Sequence, residues 1–308
     1  ALFATGIVLI TYQLSLLLYK DNWIAFASAF VLLFPGMFVD SSRRGMIDIP
    51  VAFFVALSFY AFFKAREIKP WYLVFGLATA GAILSKSVLG LFPLTIVGAF
   101  LIFSQQWREI INPWFLSGCM IALFLGFSWH IINWQHYGQG FINVHFGSLI
   151  INRSFGGVKE PFYFLGYAKD FLRNYWPWLP FTLVGLAQFG KHGFYNEKDR
   201  TALLLFLWAV LTFLVMSTSK NQTLRYLFLM FPALAIITAK TISDWLGPDK
   251  KNRALGIMTG VIAVTILFVN ATPFQVKVTL SQSSKDVREL AAIINLNTPT
   301  NQAIGNYR

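Results

Sequence analysis

The sequence predicts an all-α membrane protein, a polytopic bundle of about ten transmembrane helices with interfacial helices on its outer side. Three observations carry that reading. Of the 308 residues 56% are hydrophobic and only 12% charged, against roughly 25% charged in a soluble domain. Residues 1–19 contain no Asp, Glu, Lys or Arg. The apolar runs are continuous rather than alternating, so they fit helices and not the strands of a closed barrel. This composition excludes a soluble enzyme, a disordered regulator and a nucleic-acid-binding domain. The excess of 25 Lys+Arg over 13 Asp+Glu reads as topology and contact with anionic lipid. The single cysteine, Cys119, lies in an apolar run, so no disulfide framework or Cys-based metal site is expected.

Taken in order, the spans expected are 1–19, 23–39, 49–64, 71–85, 88–104, 114–132, 176–190, 201–217, 224–246 and 254–271. The connections fall into two sets. One holds Lys20, Lys64, Arg66, Lys69, Arg108, Lys191, Lys198, Arg200, Lys250, Lys251 and Arg253. The other is sparsely basic, so the first set is expected in the cytoplasm. Both chain ends then lie outside, in the periplasm of a Gram-negative cell. The chain opens in mid-helix without Met or a basic leader, which argues against a signal peptide. A fragment of a longer protein is expected, lacking a first helix and a first outer loop. Residues 1–272 are expected to form the bundle, and 273–308 the start of a truncated extracytoplasmic region. In that tail Ser283 or Ser284 would cap a short amphipathic helix with Asp286 in its first turn.

The longest polar excursion is 133–175. From 110 to 152 it carries no Lys, Arg, Asp or Glu, so it is expected along the outer membrane surface. PFYFLGYAKDFLRNYWPW reads as an interfacial helix with Tyr and Trp at headgroup depth, leading into a span. No internal repeat is evident.

The outer connections collect the polar groups that need a reason. They are Arg43, Arg44 and Asp48 in SSRRGMIDIP, Lys86 in SKS, His145 and Arg153 in HFGSLIINRSFGG, and Lys220 and Arg225 in STSKNQTLRY. Charge near membrane depth is costly unless solvated, paired or bound to a ligand. Bland readings exist for each. Arg43 and Arg44 suit lipid headgroups, Asp48 a helix N-cap, Lys86 snorkelling and His145 a structural hydrogen bond. Arg153, Lys220 and Arg225 could pair with Asp40, Glu160 or Asp170. His130 and His136 make no metal spacing. Three N-glycosylation triplets, at 152, 221 and 270, are of a kind common by chance. The functional reading comes from combination: cations suit a phosphate arriving from the lipid phase, and a carboxylate suits a base, an acceptor anchor or a metal ligand.

Five segments occur in an order that resembles the bacterial GT-C membrane glycosyltransferases, in particular lipid A aminoarabinose transferases and protein O-mannosyltransferase-like enzymes. They are MIDIPVAFFVAL, GLATAGAILSKSVLGLFPL, INVHFGSLIINRSFGG, PFYFLGYAKDFLRNYWPWLPF and STSKNQTLRYLFLMFPALAIITA. The resemblance covers most of residues 1–246. It implies transfer of a hexosyl or pentosyl group from a polyprenyl-phosphate sugar to a lipid, protein or glycan acceptor outside the membrane. It implies Asp48 as the catalytic carboxylate and Lys86, Arg153, Lys220 and Arg225 as ligands of the donor phosphate. His145, Tyr226, Arg43 and Arg44 would line the substrate cavity. It requires no fixed cofactor beyond the donor substrate and leaves a divalent metal open. Two departures stand out. SKS lacks the Gly of the family's Thr-Lys-Gly-like segment, and the acidic motif of the family's first outer loop is missing.

The chemistry implied is inverting. An acceptor hydroxyl attacks the anomeric carbon while lipid phosphate leaves, and fixed cations stabilise the charge growing on it. A transporter or flippase is the main rival, although such proteins favour midplane sites and inverted repeats. A scaffold subunit predicts no converging cations, and an O-antigen-ligase-like transferase would not share the five ordered segments.

Overall fold

The computed structural model describes residues 2–152, 166–195, 200–220 and 222–271. Among these the chain is helical with no strand. The helices are α1 (Leu2–Tyr19), α2 (Asn22–Leu33), α3 (Gly36–Arg43), α4 (Asp48–Ala65), α5 (Trp71–Lys86), α6 (Phe92–Phe103), α7 (Trp107–Ile110) and α8 (Pro113–Ile142). They continue with α9 (Gly166–Tyr175), α10 (Leu179–Tyr195), α11 (Arg200–Ser217), α12 (Phe231–Trp245) and α13 (Pro248–Ala271). Two compact units partition the chain, 1–251 and 252–308. The functional residues considered below that the structure describes lie in the first. The tail expected from 273 lies outside the described residues.

Six helical stretches are long and apolar enough to cross a bilayer, or seven if the bent pair α2–α3 counts as one. The ten spans expected are not reached by that measure, for local reasons. The apolar run 23–39 breaks into α2 and α3, which meet at 71° around Pro35, a residue with no N–H to donate. The runs 71–85 and 88–104 join through a 3-10 turn, Ser87–Leu91. The run at 176–190 yields a helix of 17 residues.

The joined stretch nevertheless doubles back. Arg66 donates to Gln106 (2.9 Å) and Lys69 to Glu109 (2.8 Å), so the start of α5 and the end of α6 lie together. Gly90 permits the reversal: a Cβ there would sit 2.1 Å from the Ile83 nitrogen. Helix α8 then runs parallel to α5, with Tyr72 against Phe115 and Gly126 against Ile83. Where these two helices touch, a Cβ on Gly76 would lie 2.3 Å from the Gly118 carbonyl oxygen. Small residues let helices approach this closely in lipid. Helix α4 is antiparallel to α5, and Ser58 meets Thr79 at 3.1 Å midway along the pair. Similar hydroxyl contacts tie α1 to α2 (Ser15–Ser28, 3.1 Å) and α10 to α12 (Thr182–Thr238, 2.6 Å). Each satisfies a polar side chain that hydrocarbon would not. Around the bundle large apolar side chains such as Leu9, Phe124 and Leu183 stay exposed, as a lipid-facing surface requires.

These directions sort the connections into two ends. The residues around 20, 66–71, 105–112 and 251 share the end that carries the basic set. At that end Lys69 pairs with Glu109 and Lys251 with Asp21. Asp48, Lys86, His130, Ser219 and the 3-10 segment Leu224–Met230 share the other end. Of the excursion at 133–175, residues 133–152 and 166–175 are described. Helix α8 continues past residue 132, breaks at Gly138 (φ 54°) and folds back as a π-helical segment, Asn143–Asn152. Phe141 and His145 thereby face Trp129. Tyr167 and Tyr175, expected at headgroup depth, are each 1% exposed. Tyr175 stacks on Phe171 and abuts Phe231, because α9 turns its aromatic face into the bundle.

Candidate active site

At the end opposite the basic set a cavity of about 400 Å³ opens between α5, α11, the π-helical segment and Tyr226. Lys86 is the last residue of α5 and Asp48 the first of α4. A cation at a helix C-terminus and an anion at an N-terminus each suit the local dipole. Because the helices are antiparallel, those two ends coincide, and Lys86 Nζ donates to Asp48 Oδ1. The Asp48 side chain is only 9% exposed and that of Lys86 25%. Asp48 is therefore no N-cap: Ile47 holds that position without a capping bond. The Lys86 ammonium also lies 4.2 Å from the Tyr226 ring centroid, a cation–π contact that steadies it from a second side.

Arg225 precedes Tyr226 in the chain. Its Nη1 donates to the sulfur of Met46 at 3.1 Å, and its Nε is buried without a hydrogen-bond partner among the described residues. Thioether sulfur is a weak acceptor, so this guanidinium keeps donor capacity for an anion. Lys220 is exposed, directly after the cavity-lining Ser219. His145 and Tyr226 line the cavity. Arg43 and Arg44 do not. They sit exposed on the last turn of α3, and Arg44 turns back to Asp40 at 2.9 Å, one helical turn being a shorter reach than the cavity. Arg153 lies outside the described residues.

Two functional candidates were invisible in the sequence. Ser87 has φ 42° and ψ −112°, a backbone conformation that costs a non-glycine residue about 1–3 kcal/mol and persists only where the surroundings impose it. Its hydroxyl lies 2.9 Å from His130 Nε2 and 3.0 Å from His145 Nε2. His130, which makes no metal spacing in the sequence, is thus joined to the cavity through Ser87. No local signal could have revealed this, since the partners are 43 and 58 residues from Ser87. Among the described residues no group of three or more His, Cys, Asp or Glu is placed to hold a metal.

Comparison with known proteins follows the same lines. Residues 1–132 match the family model described as dolichyl-phosphate-mannose-protein mannosyltransferase. The fold is similar to that of ArnT from Cupriavidus metallidurans bound to undecaprenyl phosphate, with a TM-score of 0.67 and 17% identity over 91% of this chain and 51% of that one. The same enzyme in the apo state gives 0.65 and 17% identity, over 86% of this chain and 47% of the other. A protein of Aquifex aeolicus (strain VF5), itself of uncharacterized function, is 25% identical over 268 residues, 85% of this chain and 51% of its own length. The chain thus spans about half the length of the relatives it matches. In its sequence over residues 1–132 and in its fold over nine-tenths of its length, the chain resembles the GT-C membrane glycosyltransferases.

Proposed function

We propose that the chain is the membrane core of a glycosyltransferase that moves a sugar from a polyprenyl-phosphate donor to a lipid, protein or glycan acceptor. The site end would face the outside of the cytoplasmic membrane, since the opposite end carries the basic set. The observation that carries this reading is the contact of the cavity-lining Lys86 with both Asp48 and Tyr226, with Arg225 next to Tyr226 in the chain. Lys86 and Arg225 would bind the donor phosphate, with Lys220 and Arg153 joining from the adjoining segments. Negative charge grows on the departing phosphate, so cations fixed in place stabilise the transition state more than the ground state. A carboxylate held by an ammonium is a weak base. Asp48 is therefore best read as the group that positions Lys86, and less well as the proton acceptor.

The test is transfer from a labelled polyprenyl-phosphate sugar by the full-length protein in liposomes, with donor binding measured separately. Lys86→Ala should lower turnover about 10²–10³-fold. A wild-type protein that consumes no such donor but moves a lipid-linked anion across the bilayer would refute the proposal in favour of a transporter.

A further inference from the structure

We infer that a second hollow at the site end of the bundle holds the acceptor, and that the acceptor presents there an uncharged sugar ring. The inference rests on the glycosyltransferase reading above and narrows its acceptor to a saccharide.

The hollow is made by the reversal of the chain after α8. It measures about 530 Å³ and is lined by Trp129, Asn133, Tyr137 and Phe141, with His145 and Leu149 forming a wall common to the Lys86 cavity. The break at Gly138 and the π-helical segment Asn143–Asn152 bring these residues around one space. A π-helical turn is rare and frequently marks a functional site. The rings turn toward one another: Phe141 meets Trp129 at 5.6 Å and 74° and stacks on His145 at 5.1 Å and 12°. Aromatic residues that only anchor a helix face the lipid headgroups instead. Gly140 also lines the hollow, and a Cβ there would meet no atom within 4 Å. Glycine inside a helix costs about 1 kcal/mol relative to Ala. Packing of the chain on itself does not require it at this position, where its effect is to keep the hollow open.

Three features select the ligand. None of the lining residues is charged, and no Lys, Arg, Asp or Glu occurs from 110 to 152. An ionic group entering the hollow would lose water without gaining a partner, so the bound part of the ligand is neutral. The walls are aromatic faces, the negative side of a ring quadrupole. The C–H face of a pyranose is apolar and faintly positive, and it lies flat on such a face. Polar groups then stand where ring hydroxyls would reach. The Asn133 amide donates to the Trp129 carbonyl at 2.8 Å and leaves its side-chain oxygen to accept, and the phenol of Tyr137 stands exposed. Apolar and aromatic walls with a few polar groups are the usual make-up of a small-molecule site, and a hydrocarbon tail would use none of those polar groups.

The position assigns this ligand to the acceptor. The donor sugar is one bond from its phosphate, so it stays with the cations of the Lys86 cavity. The hollow lies across the His145–Leu149 wall, where a hydroxyl of a bound saccharide faces toward the donor sugar.

The test uses the full-length protein in phospholipid nanodiscs, because glucoside and maltoside detergents would compete. Binding of the methyl glycosides of glucose, galactose, mannose and N-acetylglucosamine is read by saturation-transfer NMR, with a hexose phosphate as the charged control. At least one glycoside should bind, and the hexose phosphate should bind about 10-fold more weakly or not at all. Tyr137 is 69% exposed with its ring against His136, so Tyr137→Ala removes a wall without disturbing the core. It should weaken glycoside binding about 5- to 10-fold and raise the acceptor KM by the same factor, with the donor KM unchanged. Gly140→Phe fills the hollow where the chain leaves room and should abolish glycoside binding. Trp129→Phe keeps an aromatic face and should retain it. Rings with a purely structural role would shift stability without separating the two KM values. Transfer from a labelled polyprenyl-phosphate sugar to a free glycoside identifies a glycan acceptor, and transfer to a glucosyl diacylglycerol alone identifies a glycolipid; both uphold the neutral ring. Absence of glycoside binding, or unchanged binding by Gly140→Phe, overturns the inference. If Gly140→Phe does not fold, Tyr137→Ala decides, and an unchanged acceptor KM overturns it equally. Transfer to a Ser/Thr peptide and to no saccharide also overturns it while leaving the glycosyltransferase. Glycoside binding without transfer from any polyprenyl-phosphate sugar removes the glycosyltransferase and leaves the saccharide hollow.

Discussion

The Lys86–Asp48 pair can be separated into a stability role and a catalytic role by a double-mutant cycle. The perturbations are Lys86→Met, which keeps the apolar stem against Tyr226, Asp48→Leu, and the two together. Removing one partner of a buried pair strands the other and costs about 3–5 kcal/mol. Asp48 is the more deeply placed member, 9% exposed against 25% for Lys86. Lys86→Met should therefore fall at the lower end of that range, near 3 kcal/mol. Asp48→Leu should cost less, about 1 kcal/mol, because the ammonium reaches water through the cavity mouth. The double variant should recover to within about 1 kcal/mol of wild type, since apolar side chains replace a buried pair with little loss. The coupling is then about 3–4 kcal/mol, well above the scatter of independent sites. Unfolding in detergent micelles by added SDS measures all four proteins, and transfer from a labelled polyprenyl-phosphate sugar is measured on the same samples. Stability should return in the double variant and activity should not, because the cation for the phosphate is gone. Additive stabilities within about 0.5 kcal/mol would refute the ion pair, and transfer by the double variant would refute the role of Lys86.

Other parts of the bundle give sharp expectations. Gly118→Val should abolish a monodisperse elution profile, because a Cβ there would lie 2.3 Å from the Tyr72 carbonyl oxygen and neither backbone can yield; normal elution would contradict the α5–α8 contact. Trp208 stacks on Phe59 at 4.0 Å and donates Nε1–H to the Leu229 carbonyl at 2.8 Å. Trp208→Phe should cost about 1 kcal/mol for the hydrogen bond and Trp208→Ala about 3–5, read by the same SDS titration. Burial raises the Glu109 carboxyl, but hydrogen bonds from Lys69, Tyr72 and Asn112 outweigh it and hold its pKa below the ordinary 4.5. A depressed carboxylate contributes stability that is fully present above its unfolded value and is lost as pH falls below it. Thermal stability of the wild type should decline below about pH 4.5 more steeply than that of Glu109→Gln, and parallel curves would count against the cluster.

The helical membrane class was legible in the sequence because lipid imposes it on every stretch alone: a run such as 1–19 without charge needs no partner to identify it. The partition of cations was legible for the same reason, since each connection carries its own Lys and Arg. Asp48, Lys86 and His145 stood out as candidates because charge and imidazole in apolar surroundings are visible one residue at a time, whereas Tyr226 came only from the resemblance. What one-dimensional reading missed was set by where helices end and turn. The ten spans read from composition are not reached where Pro35 breaks one run, and nothing in the sequence marks the break of α8 at Gly138, whose positive φ sends the chain back on itself.

The sequence by itself determined the solvent of this protein and the kinds of group gathered at one end of it. Only the tertiary structure decided who meets whom. Antiparallel α4 and α5 bring residues 48 and 86 into an ion pair, parallel α5 and α8 bring Ser87 to His130, and the reversal at Gly138 returns His145 to the same hydroxyl. Arg43 and Arg44, equal candidates by composition, are left outside the cavity because α3 ends on the exposed side. Composition acts residue by residue through transfer free energy, whereas an ion pair or a hydrogen-bond chain depends on directions and distances that exist only once the helices are side by side.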